Sequence, residues 1–268
     1  MIGIASLTVW QTGVARGNQA SASSASGPVL RGTRAMPPFF AVPDADGDMR
    51  FHARMPGAQV LFDSTGLTLG FSQAKTSGRT PTRKTPRQLD EPMFAPPIAD
   101  AQDIVRLNYV AASASAHIEG TDPQPTKLNY YAGNDPTRWR SGLSTFNGIA
   151  YRDLYPGIDL MIARADTGLK STYVVAPGLD PKQIRWRYEG AARPRLNTAK
   201  TTVVLDVPTG DATSAPRTLT ETAPLAWQDR GGQRTLVPVR FDASAHQLYS
   251  RNKYPLNPLD YHCPLTFH

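Results

Sequence analysis

Apolar and polar residues alternate along short runs through most of this chain, and no stretch keeps a helical period. Residues 49–54 (MRFHAR), 59–63 (QVLFD) and 67–72 (LTLGFS) are such runs, with Pro56-Gly57 as a turn signal between the first two. A period of two puts successive side chains on opposite faces of a strand. These runs therefore predict a meander of half-buried strands with short connections. The pattern resumes at 104–110 (IVRLNYV) and continues through 127–131, 146–151, 158–163, 170–176 and 184–188. In the last of these, Ile184, Trp186 and Tyr188 alternate with Arg185 and Arg187. Further β-rich runs lie at 201–207, 219–221, 225–228 and 235–241. Strands recurring every ten or so residues, with turns between them, predict an all-β, antiparallel, sandwich-like fold.

Composition strengthens that expectation. The 24 prolines and 21 glycines among 268 residues are both costly inside helices and favour many short elements. They also mark the organisation. Residues 1–35 are dominated by Ser, Ala and Gly without periodicity and are expected to form a disordered leader and tether. The β-rich domain is expected over 36–245, with a basic, Pro-rich linker or loop at 73–97 inside it. Residues 246–268 form an expected irregular tail, since Pro255, Pro258 and Pro264 deny it regular ladder positions. The apolar run IGIASLTVW at 2–10 is far too short to span a bilayer, and no other segment approaches that length. Followed by the cleavage-like Ala20-Ser21-Ala22, it reads as a weak or truncated secretory signal.

Charge changes the picture little. The net charge is +7, and Lys75, Arg79, Arg83, Lys84 and Arg87 fall in the Pro-rich run without interleaved aromatics. That run reads as a solvated linker, and nucleic acid is not an expected partner. The single cysteine, Cys263, excludes a disulfide within the chain.

Candidate chemistry is sparse. There is no G-x-S-x-G, and the histidines His52, His117, His246, His262 and His268 form no ligand spacing. Asp44, Asp46 and Asp48 alternate around Gly47, a pattern calcium favours, but no Glu follows where a calcium loop wants one. A turn before a strand explains them better, so neither metal nor cofactor is expected. Asn134, Asp135, Asp153 and Asp159 lie near two turns and are the residues a glycoside hydrolase would use. Asp135 before Pro136, and Asp159 after Tyr155-Pro156-Gly157, are equally explained by turn geometry. Trp139 and Trp186, rimmed by Arg138 and Arg185, are candidates for stacking on a glycan, although aromatics at alternate strand positions are more often core.

One stretch carries a resemblance. Asn129-Tyr130, Gly133-Asn134-Asp135-Pro136, Trp139, Tyr151 and Tyr155-Pro156-Gly157-Ile158-Asp159-Leu160, together with VVAPGLDPKQIRWRYEGA at 174–191, form its pattern. They resemble a bacterial domain of uncharacterised function that lies between a signal peptide and seven-bladed β-propeller repeats in secreted or surface proteins. The resemblance covers roughly residues 36–241, most of the chain. It implies a β-rich, non-enzymatic structural or adhesive module of an exported protein, in a truncated or stand-alone version. It also implies a secreted or cell-surface location and a propeller as the natural neighbour. The alternatives are a glycan-binding module using exposed Trp and Tyr, or a carbohydrate-active enzyme using the Asp residues near the two turns.

Overall fold

The computed structural model describes residues 2–8, 37–44, 47–55, 58–71, 103–131, 136, 139–165, 168–190, 193–199, 201–207, 217–222, 224–241, 244–245, 261–262 and 265–267. The fold is all-β and antiparallel, as the alternation predicts. Ten strands make its first two-thirds: β1 (Ile2–Thr8), β2 (Phe39–Pro43), β3 (Met49–Met55), β4 (Ala58–Asp63), β5 (Gly66–Phe71), β6 (Asp103–Tyr109), β7 (His117–Tyr130), β8 (Arg140–Tyr155), β9 (Ile158–Ala165) and β10 (Gly168–Val175). A 3-10 turn at Pro181–Gln183 leads to β11 (Trp186–Gly190) and β12 (Arg193–Leu196). Then come β13 (Val203–Val207), β14 (Arg217–Glu221), β15 (Leu225–Arg230) and β16 (Gln233–Val237). The short strands β17 (Val239–Phe241), β18 (Ser244–Ala245), β19 (Tyr261–His262) and β20 (Leu265–Phe267) complete the chain.

Fifteen of these strands form one curled sheet, with β12-β13-β14 and β17-β20 as small sheets beside it. The organising strand is β8. One of its edges carries β7 along nearly the whole length. The other edge is divided: Gly148–Tyr155 pairs with β9, and Thr145 and Phe146 pair with β2. Two wings leave from that divided edge. One runs β9-β10-β1-β15-β16, and the other runs β2-β3-β4-β5-β6-β11 and on to β19 and β18. The wings fold over each other, so that Tyr151 on β8 meets Tyr109 on β6, and Tyr173 on β10 stacks on Trp186 of β11. That is the sandwich, made from a single sheet.

Alternation sets the core. Ala58, Val60 and Phe62 of β4 are buried, as are Val203, Leu205 and Val207 of β13, with half-buried residues between them. β5 departs from the expected half-burial, since all six of its residues are buried. Its second face holds only Gly66, Thr68 and Gly70, and Arg106 reaches across to hydrogen-bond the Thr68 hydroxyl. Small residues there are covered by longer neighbours.

Two further departures have physical causes. The stretch 117–126 carries Pro123 and Pro125 and was not expected to be a strand, yet β7 runs through it. Because β7 pairs only with β8 among the described residues, its prolines lie on a strand whose other edge carries no ladder. Gly120 belongs there because a Cβ would meet the Phe146 ring at 2.4 Å. Residues 2–8, expected within the leader, pair as β1 with β10 on one side and β15 on the other. The rest of the expected tether, 9–36, and the basic run 73–97 lie outside the described residues. Within the expected tail, 261–262 and 265–267 pair back onto β11, β18 and β17.

Candidate functional site

The two turns singled out in the sequence have different standing. Asn134 and Asp135 lie outside the described residues, with Pro136 exposed beside them. The second turn is fully visible. Tyr155 pairs with Ile158 across Pro156-Gly157, which closes the β8–β9 hairpin. Gly157 has φ +72, and a Cβ there would meet Leu179 Cδ1 at 2.5 Å, so both conformation and space call for glycine. Just before it, between Tyr151 and Tyr155, the register shifts and Asp153 takes φ 50.

The carboxylates hold this bulge together. Asp153 accepts a hydrogen bond from the Gly157 backbone N–H at 2.9 Å and one from the Ser115 hydroxyl at 3.0 Å. Asp159 accepts from the Asp153 N–H at 2.8 Å and from Arg152 Nη1 at 2.9 Å. Arg152 also donates through Nε to Glu119 at 2.6 Å, so a Glu119–Arg152–Asp159 ladder crosses β7, β8 and β9. The Gly157 N–H and then the Ser115 hydroxyl hold the Asp153 carboxyl below the usual carboxylate range. A general acid for glycoside cleavage needs the opposite shift. These groups act as turn formers and strand-to-strand ties.

The aromatic residues divide into core and surface. Trp186 is 2 % exposed. It stacks on Tyr173 with ring centroids 6.4 Å apart and meets Phe241 edge-on, so it is a core residue rather than part of a stacking surface. Its partner in the expected rim, Arg185, has an exposed side chain, while its backbone N–H and C=O both bond the Tyr155 hydroxyl. Arg138 lies outside the described residues. Trp139, by contrast, is 43 % exposed and packs edge-on against the exposed Tyr131 with centroids 5.3 Å apart.

Behind Trp186 lies a group of buried phenols. Tyr151 donates to the Gly66 carbonyl at 2.7 Å, Tyr155 to the Arg185 carbonyl at 2.6 Å, and Tyr188 to Glu221 Oε2 at 2.6 Å. Burial pushes Tyr155 up to about 12 and raises Tyr109, Tyr151 and Tyr173 further, so these hydroxyls stay protonated and remain donors. A cavity of about 20 Å³ touches Tyr109, Tyr173, Trp186, Tyr188 and Glu221. That is room for about one water and for no larger substrate. Glu221 is the residue sequence reading missed. It sits in the plain strand RTLTE, and nothing local marks it as buried.

The acidic run before β3 is a hairpin turn. Asp44 Oδ1 accepts the Asp48 N–H at 2.9 Å, its Oδ2 pairs with Arg50 at 3.0 Å, and Gly47 has φ +89. Asp46 lies outside the described residues. Among the described residues, no group of three or more His, Cys, Asp or Glu side chains gathers at a point.

His52 is a half-buried strand residue, stacked on Phe40 with centroids 5.0 Å apart and flanked by Tyr130. Burial, and secondarily the Arg50 charge, lower its pKa from 6.5 to about 4. The unfolded chain therefore binds this proton first as pH falls. The His52 contribution is present above pH 6.5 and is lost as pH drops towards 4. With allowance for the open edge of the ring, a loss of about 2 kcal/mol is expected over that window. Urea unfolding of His52→Phe at pH 7 and pH 4.5 checks it, because the variant loses less stability between the two pH values than the parent does.

The family model for a domain of unknown function, DUF7948, matches residues 41–265, most of the chain. The chain belongs to the DUF7948 family. Within this DUF7948 domain lie the β8–β9 turn, the Glu119–Arg152–Asp159 ladder and the buried tyrosines, all inside the matched span. No curated protein and no solved structure matches the chain.

Proposed function

We propose that this DUF7948 domain is a non-enzymatic structural module of an exported bacterial protein, placed beside a β-propeller and built to hold or present it. One observation carries its non-enzymatic half, while export and the propeller neighbour rest on the resemblance of the 129–160 and 174–191 motifs. Asp153 and Asp159, the described carboxylates best placed for hydrolysis, spend their acceptor positions on backbone N–H groups, Ser115 and Arg152. Their chemistry is that of a scaffold.

The test is the purified chain against chromogenic glycosides and a panel of polysaccharides. No turnover is expected from the parent, from Asp153→Asn or from Asp159→Asn. Turnover that Asp159→Asn abolishes, with the melting temperature kept, would make the domain a hydrolase instead. Fractionating a producing bacterium tests export: chain found only in the cytosol, with its first residues intact, defeats that half of the proposal. A second reading, glycan binding, is favoured by the exposed Tyr131–Trp139 pair alone. Loss of polysaccharide binding in Trp139→Ala would support it, and equal binding by both proteins would end it.

A further inference from the structure

Among the described residues, the long sheet leaves one edge each of β7, β16 and β18 without a neighbour, and β18 is only two residues long. An open edge invites another strand, and natural sheets guard theirs with prolines, bulges and charges. β7 is guarded in all three ways. Pro123 and Pro125 offer no N–H, the register breaks between Gln124 and Lys127 and again between Leu128 and Tyr130, and Glu119 and Lys127 add charge.

β16 has none of this protection. Its five residues contain no proline, and their register with β15 is unbroken from Ala226↔Val237 to Arg230↔Gln233. Its one charge is turned back along the sheet. Arg234 binds both oxygens of Asp229 at 2.9 Å, and its guanidinium lies 4.9 Å from the Trp227 ring centre. Beside it, Leu236 is 66 % exposed opposite Trp227, and Leu225 is 53 % exposed two positions along β15. Among the described residues, the edge therefore offers backbone groups without a ladder partner next to an apolar strip.

We propose that β16 is a self-association edge: two copies of this chain pair their Gln233–Val237 strands antiparallel about a two-fold axis at Leu236. The sequence of the edge selects that partner and register. Centring the axis on Leu236 sets Leu236 against its own copy and Thr235 against the copy's Val237, so apolar meets apolar and two β-branched residues pair. Pro238 then falls opposite Arg234 at the end of the ladder, where its missing N–H costs least. Centring on Thr235 instead sets Leu236 against Arg234. The Arg234–Asp229 pairs leave the two edges without net repulsion. A two-fold interface of this kind is closed, so it yields a dimer and no filament. The inference stands independently of the export reading.

Sedimentation equilibrium of the full chain, from about 10 µM to about 300 µM, suits an interface of this small size. The mass is expected to rise from 29.2 kDa towards twice that value and to stop there. Leu236→Lys and Leu236→Glu each set like charges opposite one another and are expected to raise the dimer dissociation constant by about tenfold or more. An equimolar mixture of the two variants restores association. Position 236 is largely exposed, so both variants keep the parent melting curve. A mass fixed at 29.2 kDa throughout, growth beyond the dimer, a dimer indifferent to Leu236→Lys, or a mixture that fails to recover would each overturn the proposal.

Discussion

Trp186→Ala is expected to lower the stability of the domain by about 3–5 kcal/mol, the range for removing a buried tryptophan. Trp186 joins the two wings of the sheet: it sits on β11, stacks on Tyr173 of β10, and turns an edge to Phe241 of β17. Its removal leaves a hole between surfaces fixed by long ladders on both sides, so collapse into the space is restricted. Trp186→Phe is the informative control. The indole Nε1 has no hydrogen-bond partner among the described residues, so the phenyl ring sacrifices no bond to them. The cost then falls to the missing ring volume, about 1–2 kcal/mol. Urea unfolding followed by far-ultraviolet circular dichroism measures both. A Trp186→Ala chain within about 1 kcal/mol of the parent would mean that the wings do not meet there.

Glu221→Ala is expected to cost about 3 kcal/mol, as removal of one member of a buried, charge-assisted hydrogen bond does. Glu221 is 5 % exposed and ends β14 of the small sheet, while Tyr188 lies on β11 of the long one. Their 2.6 Å bond is therefore a tie between two sheets that share no ladder. Tyr188→Phe alone is expected to cost about 1–2 kcal/mol. The double variant should cost less than the two single losses added, by about 1–2 kcal/mol of coupling. Additive losses in that cycle would separate the two residues energetically.

The strands were legible because they obey one local rule. Runs such as 49–54 and 184–188 alternate, and Phe51, Ala53, Ile184, Trp186 and Tyr188 are buried as that alternation assigns. The Tyr155-Pro156-Gly157 turn was legible for the same reason: its geometry is written in adjacent residues. What could not be read is what depends on partners far along the chain. Tyr188 and Glu221 look like an aromatic and an acid in two ordinary strands until the fold sets them together. Trp139 and Trp186 carry the same side chain in similar local settings, yet one is surface and the other core, because only the second lies where the wings close. Pro123 and Pro125 fit in a strand because a proline's cost depends on whether a neighbouring strand asks for its N–H, and that is a property of the sheet.

The position of β1 bears on the order in which the chain assembles. Hairpins such as β3–β4 and β8–β9 close between neighbours and can form early. β1, in contrast, pairs with β10 and β15, so it must wait for segments separated from it by most of the chain. Among the described residues, the β15–β16 hairpin joins the ladder of the long sheet only through β1. Closing such distant pairs is slow, since the entropy of closure is lost before their contacts form. The seating of the first strand is therefore expected late in folding, and until it occurs the β10 and β15 edges that β1 covers stay bare.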